Sequence, residues 1–382
     1  MNTKQYLTNR AFCPVPWTGL MYNVDGAVKN CIRSSTPIGN LKDNTIEEIL
    51  AQDYAIKLDM AAGHKFNRCS PCYDLEQEKN NLELISDRVF YLKELRAVDQ
   101  SLYDTKNFDL HTVDVRWSNL CNFACVYCNE QFSSRIASER NIEIRRPEDL
   151  KQQAFKEWVF ARAGQLKHVY LAGGEPLLMK ENLEFLELLK QVNPNVNLRV
   201  NTNLSKVDTR IFDLICEFKN VHWAVSVETM ESQYEYIRYG GRWQDFLDNL
   251  NAIKKLGHKI SFNMLYFLLN YRTMFDCVDF LKGMEFHNNS FIIQPLLTPD
   301  YLNIRHLDTD VLNSVKDELI QRIDQQPGFL LENGYRNALA YLNQPIEKNL
   351  HLCFDYLKQN DARRKLDSTK IFKDLYKENN HG

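Results

Sequence analysis

From residue 112 onward the apolar positions switch back and forth between two periods. Runs rich in β-branched and aromatic residues read as strands at 112–118 (TVDVRWS), 167–176 (KHVYLAGGEP, strand then turn) and 197–203 (NLRVNTN). Three more follow at 222–228 (HWAVSVE), 258–267 (HKISFNMLYF) and 290–296 (SFIIQPL). Between them, apolar residues recur at helical spacing over 147–164, 177–192, 208–218, 242–257 and 271–284. Pro147 suits a helix start and Gly257 a helix C-cap. Six strands alternating with helices predict a parallel sheet with right-handed crossovers. Periodicity alone does not choose between an open doubly wound sheet and a barrel. In both, ligands gather beyond the carboxyl ends of the strands.

The flanking segments have a different texture. Within residues 1–80, Val24-Asp25-Gly26 reads as the turn of a β-hairpin, and 45–61 carries apolar residues at helical spacing. Residues 75–100 are charged with a helical apolar pattern and predict a connecting helix, with a domain boundary between about 80 and 108. The expected division is an N-terminal cysteine-rich module at 1–80, a connecting helix at 81–107, an α/β core at 108–300 and a helical extension at 301–382. That extension (301–307, 311–323, 360–377) reads as helices packing on the core, ending in a solvated charged tail. No solenoid-type repeat or low-complexity segment is evident.

Composition narrows the classes of function. The 382 residues are 44% hydrophobic and 25% charged, enough to bury a sizeable core. A formal net charge of −3 gives no reason to expect a nucleic-acid or anionic-membrane partner. The first residues lack a signal-peptide pattern and no apolar run approaches the roughly 20 residues of a membrane span, so a cytoplasmic protein is expected. Ten cysteines in such a chain point to ligands more than to disulfides. Seven fall into two groups, while Cys216, Cys277 and Cys353 sit in apolar patterns and read as small core residues.

The first group is Cys121, Cys125 and Cys128, spaced C-x3-C-x2-C in NLCNFACVYCNE. Thiolates ligate iron–sulfur clusters, and three of them hold three irons of a [4Fe–4S] cubane while leaving the fourth open to a small molecule. Structural zinc prefers four ligands in two separated pairs, which this triplet fits poorly. The second group is Cys13, Cys31, Cys69 and Cys72. Four thiolates with one C-x2-C pair suit either a second [4Fe–4S] cluster or tetrahedral Zn²⁺. No Ser–His–Asp, Walker or H-E-x-x-H arrangement is present, and the nine histidines lack ligand spacing.

CNFACVYC resembles the signature of the radical S-adenosylmethionine (radical SAM) enzymes, including the aromatic Tyr127 before the last cysteine. The resemblance implies a partial (β/α)6 barrel. It also implies that the open iron chelates SAM, whose reductive cleavage yields a 5′-deoxyadenosyl radical that abstracts a substrate hydrogen. Gly173-Gly174-Glu175-Pro176 looks like the family's GGEP motif, which binds the methionine amino group. Asn203, Ser226 and Glu228 resemble strand-end residues that contact the ribose or carboxylate of SAM, with Glu where the family commonly has Asp. Arg238 resembles an arginine that pairs with the SAM carboxylate or anchors a loop, and Tyr127 presents its backbone near the adenine. The N-terminal C-x12-G-x4-C resembles the SPASM or shortened twitch domains, which carry auxiliary clusters but usually follow the core. Four cysteines are enough for one cluster, suited to passing electrons. By the same resemblance, the substrate is expected to be a peptide or protein side chain, or a small sugar or alcohol. The electron donor is expected to be of the flavodoxin or ferredoxin type. A rival expectation is a non-catalytic, zinc- or cluster-bearing protein that binds SAM.

Overall fold

The structure is a computed structural model that describes residues 9–34, 36–77, 86–94, 108–144, 147–325 and 329–379. The chain folds into two compact units. The first comprises Met1–Leu120, Asn141–Arg199 and Arg210–Val221, and the second Cys121–Arg140, Val200–Thr209 and His222–Gly382.

In the first unit, β1 (Gly19–Tyr22) and β2 (Ala27–Lys29) form the expected hairpin, with Met21 opposite Lys29. Gly26 closes its turn at φ +84°, a left-handed conformation that glycine adopts without steric cost. A short β3 (Gly39–Asn40) lies antiparallel to β2. On its other side β1 runs parallel to β4 (Thr112–Val115), which in turn runs parallel to β5 (His168–Leu171). The cysteine-rich hairpin thus extends the same sheet as the first core strand. The strand order is β3-β2-β1-β4-β5, followed by the start of β6 (Asn197–Thr202). Trp117 is fully buried, with its ring beside those of Tyr22, Phe155 and Phe185.

The second unit takes the end of β6, then β7 (Val221–Ser226), β8 (Lys259–Tyr266) and β9 (Phe291–Pro295). β7, β8 and β9 are parallel in register, with Ser226 opposite Asn263 and Asn263 opposite Ile292. Helices at Trp243–Lys254 and Thr273–Gly283 connect them, burying Phe246, Leu250 and Ile253 on one and Phe275, Val278 and Leu281 on the other. All six expected strands form and alternate with helices, so the fold class is α/β, consistent with the expected partial (β/α)6 barrel. Cys277 and Cys353 are fully buried, as small core residues should be, and Cys216 is half-buried.

Element ends differ from expectation in three places. The helix foreseen from Pro147 spans Asp149–Phe160 with Glu148 as N-cap, so Pro147 precedes the cap. The helix foreseen up to Gly257 ends at Lys254, and Gly257 turns the chain two residues beyond the cap at φ +68°. The segment 75–100 is not one helix. One helix is Ser70–Gln77, another is Asp87–Glu94, and Ser86 caps the second by accepting from the amide of Val89. Residues 78–85 and 95–107, which include most of the expected connector, lie outside the described residues.

Candidate functional site

In the second unit the cysteine loop is held by backbone hydrogen bonds on both sides of Cys125. The amide of Ala124 donates to the Tyr239 carbonyl (2.8 Å) and that of Val126 to the Ile237 carbonyl (2.9 Å). The Cys128 amide closes the turn on the Cys125 carbonyl at 3.0 Å. Around Cys121, Ser133 Oγ donates to the Phe123 carbonyl (2.6 Å), and Arg135 donates to the Asn122 carbonyl (2.8 Å). Gly240, at φ +106°, leaves the space that Arg135 uses: a Cβ there would stand 2.1 Å from its guanidinium. Burial pushes the thiols of Cys125 and Cys128 upward, the latter to about 12. A thiol so placed becomes a thiolate when a cation takes up its charge, and coordination to iron does this outright. The donor set therefore fits a cluster.

Behind the loop, Glu228 and Arg238 form a buried bidentate ion pair: Nε donates to Oε2 at 2.6 Å and an Nη to Oε1 at 2.9 Å. Tyr127 adds a third hydrogen bond, its hydroxyl donating to Glu228 Oε1 at 2.9 Å. Three residues marked in the sequence as SAM contacts thus meet each other. Asn203, just past β6, donates to Asn122 Oδ1 (3.2 Å) and lies 3.9 Å from the Cys121 sulfur. Ser226 is the half-buried last residue of β7.

In the first unit, the GGEP turn follows β5 and presses on the backbone just ahead of Cys121. The Glu175 amide donates to the Leu120 carbonyl at 2.7 Å, and the Gly174 amide to that of Ser118 at 3.3 Å. A Cβ on Gly174 would lie 2.2 Å from the Leu120 carbonyl oxygen. Gly173 sits at φ +108°. Glu175 is fully buried, and its carboxylate accepts from the Leu177 amide at 3.2 Å. The glycines therefore permit close packing of backbone on backbone.

Also in the first unit, Cys13, Cys31, Cys69 and Cys72 line one cavity. Cys13 precedes the short helix Val15–Thr18, Cys31 follows β2, Cys69 ends a 3₁₀ turn (Asn67–Cys69), and Cys72 lies in the first turn of Ser70–Gln77. Phe12, Val15, Trp17, Ile56, Met60 and Leu92 pack around them. Burial raises all four thiols, with Cys31 pushed up to about 12 and Cys69 to about 11, and neighbouring thiols lift Cys13, Cys31 and Cys69 further. Four thiols around one apolar cavity suit a bound metal cluster. Three arginines share the cavity. Arg33 pairs with Asp87, Arg88 is bidentate on Glu76, and Arg68 meets Asp53 at 3.5 Å.

Two residues near the cysteine loop carry no sequence signal. The hydroxyl of Tyr356, on the helix Leu350–Arg364, donates to the Val126 carbonyl between Cys125 and Cys128 (2.8 Å). Arg364 pairs with Glu139 and lies over the Tyr239 ring. Neither belongs to a motif, since their partners are 230 and 225 positions away.

An α/β core carrying these two cysteine groups is what an iron–sulfur protein requires. Residues 115–281 match the model of the Radical SAM superfamily, and residues 13–73 match SPASM, an iron-sulfur cluster-binding domain. Over these residues the chain matches the radical SAM superfamily, with a SPASM match ahead of the core, and the two matches support [4Fe–4S] and SAM as its cofactors. It is similar to the GTP 3′,8-cyclase of Campylobacter lari, 22% identical over 42% of this chain and 49% of that protein. It is also similar to the GTP 3′,8-cyclase of Sulfurimonas denitrificans, 23% identical over 57% of this chain and 64% of that protein. The chain spans about half to two thirds of the length of these curated relatives. Among solved structures, it resembles Streptococcus suis SuiB bound to precursor peptide SuiA, at 16% identity and TM-score 0.42, over 76% of this chain and 65% of that one. It also resembles anSMEcpe with bound AdoMet and Kp18Cys peptide, at 17% identity and TM-score 0.40, over 55% and 59%. Among the described residues no helix is long and apolar enough to cross a membrane.

Proposed function

We propose that the protein is a radical SAM enzyme that removes a hydrogen atom from a peptide or protein side chain, with its second cluster as an electron conduit. The observation that carries this reading is the pair of thiol sites, three cysteines in a loop after β4 and four around one cavity. Cys121, Cys125 and Cys128 hold the cluster that binds SAM. Cys13, Cys31, Cys69 and Cys72 hold the second cluster, and with every iron ligated by protein it has no site for substrate. When bound, the first cluster supplies the electron that cleaves SAM.

The protein's own residues bind, orient and exclude water. Gly173, Gly174 and Glu175 would hold the methionine amino group of SAM, and Asn203 and Ser226 would hydrogen-bond its ribose or carboxylate. Glu228, Arg238 and Tyr127 keep the loop in place through their shared hydrogen bonds. The electron donor is a flavodoxin- or ferredoxin-type protein, and the setting is the cytoplasm.

The test is anaerobic reconstitution with iron and sulfide counted per chain, then dithionite and SAM. About eight irons and formation of 5′-deoxyadenosine support the reading. About four irons with one zinc overturn the second cluster. A filled, reducible first cluster that yields no deoxyadenosine with any offered peptide, sugar or alcohol overturns the enzyme assignment.

A further inference from the structure

Among the described residues lining the cavity of Cys13, Cys31, Cys69 and Cys72, one cation has hydrogen bonds that are not used up. Arg33 gives its Nε–H to Asp87 at 2.5 Å. Arg88 is spent on both oxygens of Glu76 and on the Phe12 carbonyl at 2.9 Å. Arg68 differs. One Nη touches Asp53 Oδ1 at 3.5 Å, while its buried Nε and Nη1 have no hydrogen-bond partner. A buried guanidinium with idle donors is costly unless something in the cavity accepts from it. Asp53 is itself buried, and its second oxygen accepts from Asn30 Nδ2 at 2.8 Å. It is therefore fixed, and so is the end of Arg68 that it holds.

A cubane with four thiolate ligands carries a net charge of about −2, rising to about −3 on one-electron reduction. Hydrogen bonds to the sulfurs and nearby charge are among the levers that set its potential. We propose that Arg68 donates through Nε–H and Nη1–H to the sulfurs of the cluster held by these four cysteines and raises its reduction potential, with Asp53 as the positioning residue. This rests on the reading that Cys13, Cys31, Cys69 and Cys72 bind a [4Fe–4S] cluster. The added electron finds a fixed cation beside it, so the site is poised to accept.

The test uses the full-length chain with Cys121, Cys125 and Cys128 all changed to Ala, so that only this cluster is reconstituted. Its potential is titrated at pH 8 and read from the electron paramagnetic resonance of the reduced state. Arg68→Gln is expected to raise the oxidised-to-reduced ratio at the parent midpoint by about tenfold, a shift of about 59 mV to the negative for one electron. Arg68→Lys keeps the charge without the fork and falls between. Asp53→Asn keeps a side-chain oxygen for Arg68 while removing the opposing charge, and moves the potential the other way. An Arg68→Gln potential equal to or above the parent's, or Arg68→Gln and Asp53→Asn shifts of the same sign, overturns the assignment and leaves the cluster standing. A parent that binds one zinc and no iron overturns the cluster reading itself.

Discussion

Removing Arg238 tests whether the buried pair behind the cysteine loop is structural. Glu228 and Arg238 are 1% and 3% exposed, and the guanidinium is bidentate on the carboxylate. Arg238→Met fills the space but strands a carboxylate with only the Tyr127 hydroxyl as side-chain partner. Breaking a buried pair from one side costs about 3–5 kcal/mol, because the remaining charge is uncompensated. Replacing both members is far cheaper, so Glu228→Gln with Arg238→Met should lose about 2 kcal/mol or less. The assay is urea unfolding of the reconstituted protein, with SAM affinity measured on the same four samples. The single variant should unfold well before the double. If the double variant is as unstable as the single, the pair is not an energetic unit and the reasoning fails. SAM binding separates the roles: an arginine that meets the SAM carboxylate directly leaves Glu228→Gln with undiminished affinity, while a pure loop anchor loses affinity in both singles.

Gly174→Ala should force the chain ahead of Cys121 to move, because the new Cβ meets the Leu120 carbonyl oxygen at 2.2 Å and no flexible side chain can give way. The expected cost is about 1–3 kcal/mol, with fewer irons retained on the first cluster by iron counting; full retention and unchanged stability would refute the packing argument. Burial raises the Asp53 carboxyl from 3.8 to about 6, so its contribution to stability is present below pH 4 and lost as pH rises through about 6. Asp53→Asn should therefore lose this slope, so that the parent falls by up to about 3 kcal/mol relative to it between pH 4 and 8, and urea midpoints over that range that stay parallel would refute it.

Much of the core was legible in the chain itself. The alternation of period-two and period-3.6 stretches located all six core strands, since β-branched runs such as HWAVSVE leave little choice at the backbone level. Cys121, Cys125 and Cys128 lie within eight residues and are confined by their own loop, whereas Cys13, Cys31, Cys69 and Cys72 spread over about sixty residues and line one cavity only in the fold. In the described part of the connector at 75–100, two helices are parted at Ser86, whose hydroxyl caps the second.

What the sequence could not decide were relations between residues far apart in it. Nothing in the order of residues says that β1 pairs in parallel with β4, about ninety positions later, or that Tyr356 bonds the backbone between Cys125 and Cys128. Nor does a motif reveal that Glu228, Arg238 and Tyr127, each marked as a cofactor contact, hydrogen-bond to one another. Local sequence determines which residue types are available and which elements form, because backbone preferences are short-ranged. Which charges end up buried together, and which donors such as those of Arg68 are left over, follows from packing the elements and is set only by the tertiary structure.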